Sequence, residues 1–205
     1  MHISEGVLEP LILAGGGALS IAGIVVGLKM MRHEEVPKVG VLTAAFFVAS
    51  LVHVPIGPAS AHLVLNGLVG LLLGWACFPA ILVALALQTV FFQYGGITVL
   101  GVNTANMALP ALLAYLLFRP MLRGGRGWTA AGGFLAGSLG VLGAGVMVAL
   151  ALALTGKPFL PAAQTVLVVH IPVMAVEGIV TSIIVVFIKR IRPEMLFPPK
   201  SGEQS

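Results

Sequence analysis

Met1 and His2 open the chain, and together they form a preassembled chelator. The α-amine, the Met1–His2 amide nitrogen and the His2 imidazole close one five-membered and one six-membered ring on a single ion. Three coplanar nitrogens favour a square-planar ion such as Ni(II) or Cu(II). The donors must be deprotonated to bind, so affinity falls as pH falls. The same residues also read as a polar, frayed terminus, and the rest of the chain has to separate the two readings. No Lys or Arg precedes the apolar run that begins near Leu11, and no short apolar core leads to a small-residue cleavage site, so a retained N-terminus is expected. Glu5 lies close to the chelator. It reads equally as a carboxylate that hydrogen-bonds a ligating group and as a solvated charge at the entry to the first helix.

A fourth nitrogen has two sources in the segment from His53 to His62. Pro55, Gly57 and Pro58 exclude a helix there, so a shaped turn is expected, with a new helix starting near Ser60 as N-cap. His62 then falls in its first turn, and Asn66, four residues on, shares its face and could fix the ring. His53 is the alternative ligand, although an interfacial histidine ending the preceding helix is the preferred reading. The segment from Tyr94 to Met107 is uncharged and glycine-containing, and it is read as a lid over the N-terminal site. Asn103 and Asn106 within it could cap the following helix or hydrogen-bond ligating groups.

The elements that position these residues are membrane helices. Of 205 residues, 59% are hydrophobic and 9% charged, and the mean hydropathy is +1.09, outside the range of soluble domains. Apolar stretches recur at residues 11–30, 39–53, 62–75, 78–92, 105–118, 128–155 and 162–188. This predicts an all-α integral membrane protein, a bundle of about seven transmembrane helices, with the second to fifth near or below the roughly 17 residues a straight span needs. Residues 1–196 form one transmembrane domain and 197–205 a short tail. Ten of the eleven Lys and Arg follow the first, fifth and seventh stretches, which puts the N-terminus outside and the C-terminus in the cytoplasm. The basic balance is accounted for by this asymmetry and gives no reason to invoke nucleic acid.

Other residues have narrower readings. Cys77 is the only cysteine, so internal disulfides and multi-cysteine metal sites are excluded. Gly23 and Gly27, Gly70 and Gly74, and Gly133 and Gly137 are spaced for close helix approach, and Ala45 with Ala49 makes a further small-residue face. His170 and Glu177 lie seven residues apart on one helix face, with Pro172 between them expected to bend the helix. They form either a proton relay or a buried polar pair satisfied by neighbouring helices, and the second reading is preferred.

Taken together, Met1 to Gly6, Ala61-His62, the run from Gly95-Gly96 through Gly101 to Met107, and His170-Ile171-Pro172 through Glu177-Gly178 to Thr181 resemble the CbiM/NikM family over essentially the whole chain. Those are the substrate-binding membrane subunits of energy-coupling-factor transporters for cobalt and nickel. The resemblance implies a Co2+ or Ni2+ ion as transported ligand rather than cofactor, held by the Met1 amine, the His2 amide nitrogen and side chain, and a histidine matching His62. It also implies a lid matching residues 94–106 and a location in the cytoplasmic (inner) membrane. The implied partners are a transmembrane coupling subunit, two cytoplasmic ATPase subunits and often a small accessory membrane subunit. Ala45 and Ala49 resemble the face that docks on the coupling subunit. Some cobalt-associated members have Ser-His-Pro where this chain has Ala61-His62-Leu63, which leaves the metal preference open. No Gly-x-x-x-x-Gly-Lys-Ser/Thr loop is present, so nucleotide energy has to come from a partner. Two other classes stand beside this one. An intramembrane enzyme on His170 and Glu177 lacks a nucleophile, and a proton-coupled secondary transporter or channel lacks visible inverted repeats.

Overall fold

The computed structural model describes residues 2–56 and 59–197. Met1, Gly57, Pro58 and the tail beyond Phe197 lie outside the described residues. Seven α-helices occur among them: α1 Pro10–Met30, α2 Val36–Ala49, α3 Asn66–Leu73, α4 Cys77–Phe92, α5 Leu100–Phe118, α6 Arg126–Thr155 and α7 Leu160–Ile191. Between α2 and α3 a small antiparallel ribbon forms, β1 His53–Ile56 against β2 Ala59–His62, with His53 opposite His62. The architecture is all-α, with this one short ribbon between α2 and α3.

Among the described residues, five stretches are long and apolar enough to cross a membrane, at residues 10–30, 66–92, 100–123, 126–155 and 157–191. The chain is a multi-pass membrane protein, and its lipid-facing surface carries exposed Leu11, Val90, Leu154 and Phe187. The stretch 66–92 does not run straight. As one helix it would be about 40 Å long, yet Tyr94 beyond its far end lies with its ring 6.4 Å from that of His62, just before its start. The reversal falls at Gly74, whose φ of 56° and ψ of −127° are open to glycine and closed to residues with a Cβ. Two of the seven apolar stretches thus share one folded-back run, and α2, with 14 residues, is shorter than a full span.

The helix boundaries move two further expectations. Ser60 is not an N-cap: it lies in β2, and α3 begins six residues later, so His62 ends a strand instead of opening a helix. The ribbon wins because pairing satisfies backbone groups that the prolines keep out of a helix. Asn103 and Asn106 do not cap α5 either, since α5 starts at Leu100 and both lie inside it. Pro172 sits within α7, which continues unbroken from Leu160 to Ile191.

Helix α3 is the buried centre, with residues 66–72 all enclosed. Its glycines allow backbone contact: Gly70 lies against the Ala111 backbone of α5, and Gly67 against the Ala136 carbonyl and Gly137 of α6. Asn66 Nδ2 donates to the carbonyls of Gly140 (2.9 Å) and Met107 (3.3 Å). The long pair α6 and α7 is joined the same way, Gly133 on Ser182 and Gly137 on the Glu177 carbonyl. Ala49 belongs to this core, 6% exposed, while Ala45 is exposed. Only Ala45 of that pair is thus on the surface, because α2 turns its other small residue inward.

The two ends of the bundle differ. At one end the N-terminal segment packs through Ile3 and Leu8 on Val99, Val102, Leu152 and Ala163. At the other, Lys38 Nζ donates to the carbonyls of Leu72 and Met195, both at 2.7 Å. There Lys189 Nζ also donates to the Leu122 carbonyl (2.6 Å) and to Thr129 Oγ1 (2.8 Å). The basic segments after α1, α5 and α7 therefore meet at the end opposite His2.

Candidate metal centre

Residues 2–9 lead from the start of α1 back into the bundle, and Asn103 in the first turn of α5 fixes them. Its Oδ1 accepts from the Ile3 amide at 3.0 Å and its Nδ2 donates to the Ile3 carbonyl at 3.0 Å. The side chain thus pairs with Ile3 as a neighbouring strand would, and it holds the main chain next to His2. Asn103→Ala would leave both Ile3 groups buried and unpaired, at a cost of about 2 kcal/mol or more. The Ile3 amide of this variant is expected to exchange its hydrogen roughly thirtyfold faster, and an unchanged rate would refute the clamp.

With the backbone so held, the His2 ring meets two others, which also lie against each other with centroids 6.4 Å apart. It stacks on the His62 ring with centroids 5.3 Å apart and planes 19° apart, and on the Tyr94 ring at 5.6 Å. Two imidazoles sharing one ion, with metal–nitrogen distances near 2.0–2.1 Å, have centroids within about 7 Å of each other, so the observed spacing fits a shared ion. His62 Nδ1 is 2.9 Å from the Leu63 carbonyl. A carbonyl only accepts, so Nδ1 carries the proton and Nε2 keeps its lone pair in the neutral ring. Metal-ligating histidines are commonly oriented in this way.

Burial above all pushes the His2 imidazole down to about 2. The ring is accordingly neutral at ordinary pH, the form a metal requires. Its Nε2 is buried with no hydrogen-bond partner among the described residues. Those residues hold no group of three or more His, Cys, Asp or Glu side chains suited to a metal. The ligand set expected from the sequence completes the ion with main-chain nitrogens, and its Met1 amine lies outside the described residues.

The loop after α4 lies directly over this segment. Gly95 (φ 77°) and Gly96 (φ 149°) are in the left-handed region, and a Cβ on Gly96 would overlap the Glu5 side chain. Glu5 Oε1 accepts from Thr98 N (3.0 Å) and Thr98 Oγ1 (3.3 Å). The Thr98 amide holds its carboxyl below the usual range. Glu5 ties the loop to the N-terminal segment, and no contact with either imidazole is among its hydrogen bonds.

The other candidates fall elsewhere. Asn66 spends its amide on Gly140 and Met107, so the ring-orienting part passes to the Leu63 carbonyl. Asn106 is 3% exposed, and its Nδ2 has no partner among the described residues. His170 and Glu177 are not bonded to each other. His170 Nδ1 bonds the Val166 carbonyl of its own helix, whereas Glu177 accepts from the amides of Val64 and Leu65. For His53 the structure gives the backbone register alone, opposite His62. Sequence reasoning missed Tyr94 as a wall of the site and Thr98 as the partner of Glu5. An aromatic residue directly before two glycines in the lid was the available signal for the first.

The model of the family described as the cobalt uptake substrate-specific transmembrane region, CbiM, matches residues 2–195. The chain belongs to the CbiM family. A metal transport protein of Haemophilus influenzae is 45% identical over 199 residues, 96% of this chain and 97% of that protein. The cobalt transport protein CbiM of Sorangium cellulosum is 32% identical over 214 residues, 96% and 94% of the two chains. A crystal structure of a transition metal transporter superimposes with a TM-score of 0.74 at 27% identity, covering 93% of each chain. These CbiM relatives are transport proteins and not enzymes, so the intramembrane enzyme reading of His170 and Glu177 is set aside.

Proposed function

We propose that this CbiM-family chain is the substrate-specific subunit of an energy-coupling-factor importer that captures Co2+ or Ni2+ at the external face of the cytoplasmic membrane. The observation that carries this reading is the stack of His2 on His62 at 5.3 Å beneath a loop tied to the N-terminal segment. In it the ion is held by the Met1 amine, the His2 amide nitrogen and imidazole, and His62 Nε2. The chain crosses the bilayer about seven times, with the basic end in the cytoplasm by the positive-inside rule. In this reading the energy comes from two cytoplasmic ATPase subunits through a transmembrane coupling subunit, with or without a small accessory membrane subunit, since the chain itself carries no phosphate-binding loop.

The test is an absorption titration of purified protein with Ni(II) and Co(II) at about pH 8 and about pH 6. Ni(II) in a planar four-nitrogen site is expected to show a compact d–d band and no paramagnetism. His2 is held neutral throughout this range, so the protons released on binding come from the amine and the amide. Affinity is therefore expected to rise with pH. A paramagnetic, pH-independent Ni(II) complex would refute the ligand set.

A further inference from the structure

Glu177 is the one acidic side chain among the described residues that is 0% exposed. It sits midway along α7, yet its hydrogen-bond partners belong to the turn that carries His62. Its Oε1 accepts from the Val64 amide, and both carboxylate oxygens lie 3.0 Å from the Leu65 amide. Leu65 is in the left-handed conformation (φ 57°), unusual for a residue with a Cβ. Two successive amides that converge on one anion are what such a conformation produces. The first helical turn of α3 adds its own positive end to the same carboxylate. Among the described residues no Lys or Arg hydrogen-bonds or pairs with Glu177.

The turn is short, so what holds residues 64 and 65 also places residue 63. The Leu63 carbonyl in turn accepts from His62 Nδ1. A continuous line of contacts therefore runs from the Glu177 carboxylate through the 63–65 backbone to the His62 ring. Asn66, the sequence candidate for fixing that ring, is committed to Gly140 and Met107.

We infer that Glu177 is a positioning residue for the metal site: by anchoring the Val64 and Leu65 amides it aims the Leu63 carbonyl at His62 and so presents Nε2 to the ion. The inference rests on the metal-capture reading above. A carboxylate suits the task because it only accepts, and two amides demand acceptors. Glu177→Gln keeps the volume but turns an NH2 group toward one of them. The 63–65 turn shifts, the His62 N–H loses its fixed acceptor, and both ring tautomers become populated.

The experiment compares wild type, Glu177→Gln, Glu177→Asp and His62→Ala in detergent. It reads Ni(II) affinity, the d–d spectrum and the 15N shifts of labelled histidines, with His62 assigned from the His62→Ala variant. The expected result for Glu177→Gln is a tenfold to hundredfold loss of Ni(II) affinity, a shifted d–d band, and loss of the single Nδ1–H tautomer of His62 in the metal-free protein. Glu177→Asp, which keeps the charge with a shorter reach, is expected to fall between Gln and wild type. It also carries the test if the Gln variant does not fold. Wild-type affinity, spectrum and tautomer in folded Gln or Asp variants, alongside loss of binding in His62→Ala, would overturn the positioning role and leave the site intact. Undiminished binding in His62→Ala would overturn the site itself.

Discussion

His2→Ala, or acetylation of the Met1 amine, is expected to abolish measurable Ni(II) and Co(II) binding while the protein remains folded. Both changes strike the same two chelate rings: the first deletes the imidazole, and the second takes away the lone pair with which the amine binds. Four-donor metal sites total about 10–16 kcal/mol, so one strong donor accounts for about 3 kcal/mol, a loss of at least about a hundredfold. Loss of chelation enlarges this, because the remaining nitrogens no longer share one rigid backbone. The fold should tolerate both changes. Residues 2–9 precede α1, and the helices meet one another through α3, α5, α6 and α7. Isothermal titration of each variant, with thermal unfolding as the control, decides the matter. Wild-type affinity in either variant would remove the N-terminal chelate from the account.

Gly70→Val is expected to have the largest effect on the fold. A Cβ at Gly70 would overlap the Ala111 carbonyl and backbone, and these atoms cannot swing aside as a flexible side chain would. Because α3 is enclosed on every side, relief requires moving α5 or α3 as a unit, at a cost above the usual 1–3 kcal/mol of overpacking. The variant should fail to elute as a folded species from size-exclusion chromatography. Gly17→Val in α1, where a Cβ would meet nothing within 4 Å, is the matched control and should elute normally. Equal behaviour of the two would show that α3 does not depend on backbone contact.

Much of this arrangement is legible from residue types alone. The paired glycines at 70 and 74 and at 133 and 137 announce close approach, and the structure supplies the neighbours: Ala111, the Tyr115 ring, Ser182 and the Glu177 carbonyl. Charge asymmetry groups the basic segments, and they do meet, Lys38 on Met195 and Lys189 on Leu122. Legibility fails where a local pattern has two solutions. Pro55, Gly57 and Pro58 forbid a helix but do not choose between a bare turn and a paired ribbon. The four-residue spacing of His62 and Asn66 suggests a shared helical face only if a helix covers both, and the left-handed Leu65 intervenes. Asn103 reads from the sequence as a cap or as a hydrogen-bond partner of ligating groups, whereas its amide copies the pattern of a strand edge and finds Ile3, 100 residues away. The partners of Glu177 are invisible from sequence for the same reason: they lie 112 and 113 residues off, on backbone amides whose identity no side chain records.

The tether of the first few residues has a mechanical implication. They are secured by two bonds to Asn103, by Glu5 on Thr98, and by Ile3 and Leu8 set into a small apolar cluster, while every helix has larger and independent support. Withdrawing this strand would remove one imidazole and bare the other in a single event, with no helix displaced. In the proposed site, door and latch would then be the same short peptide, and an ion would depart when its own ligand lets go.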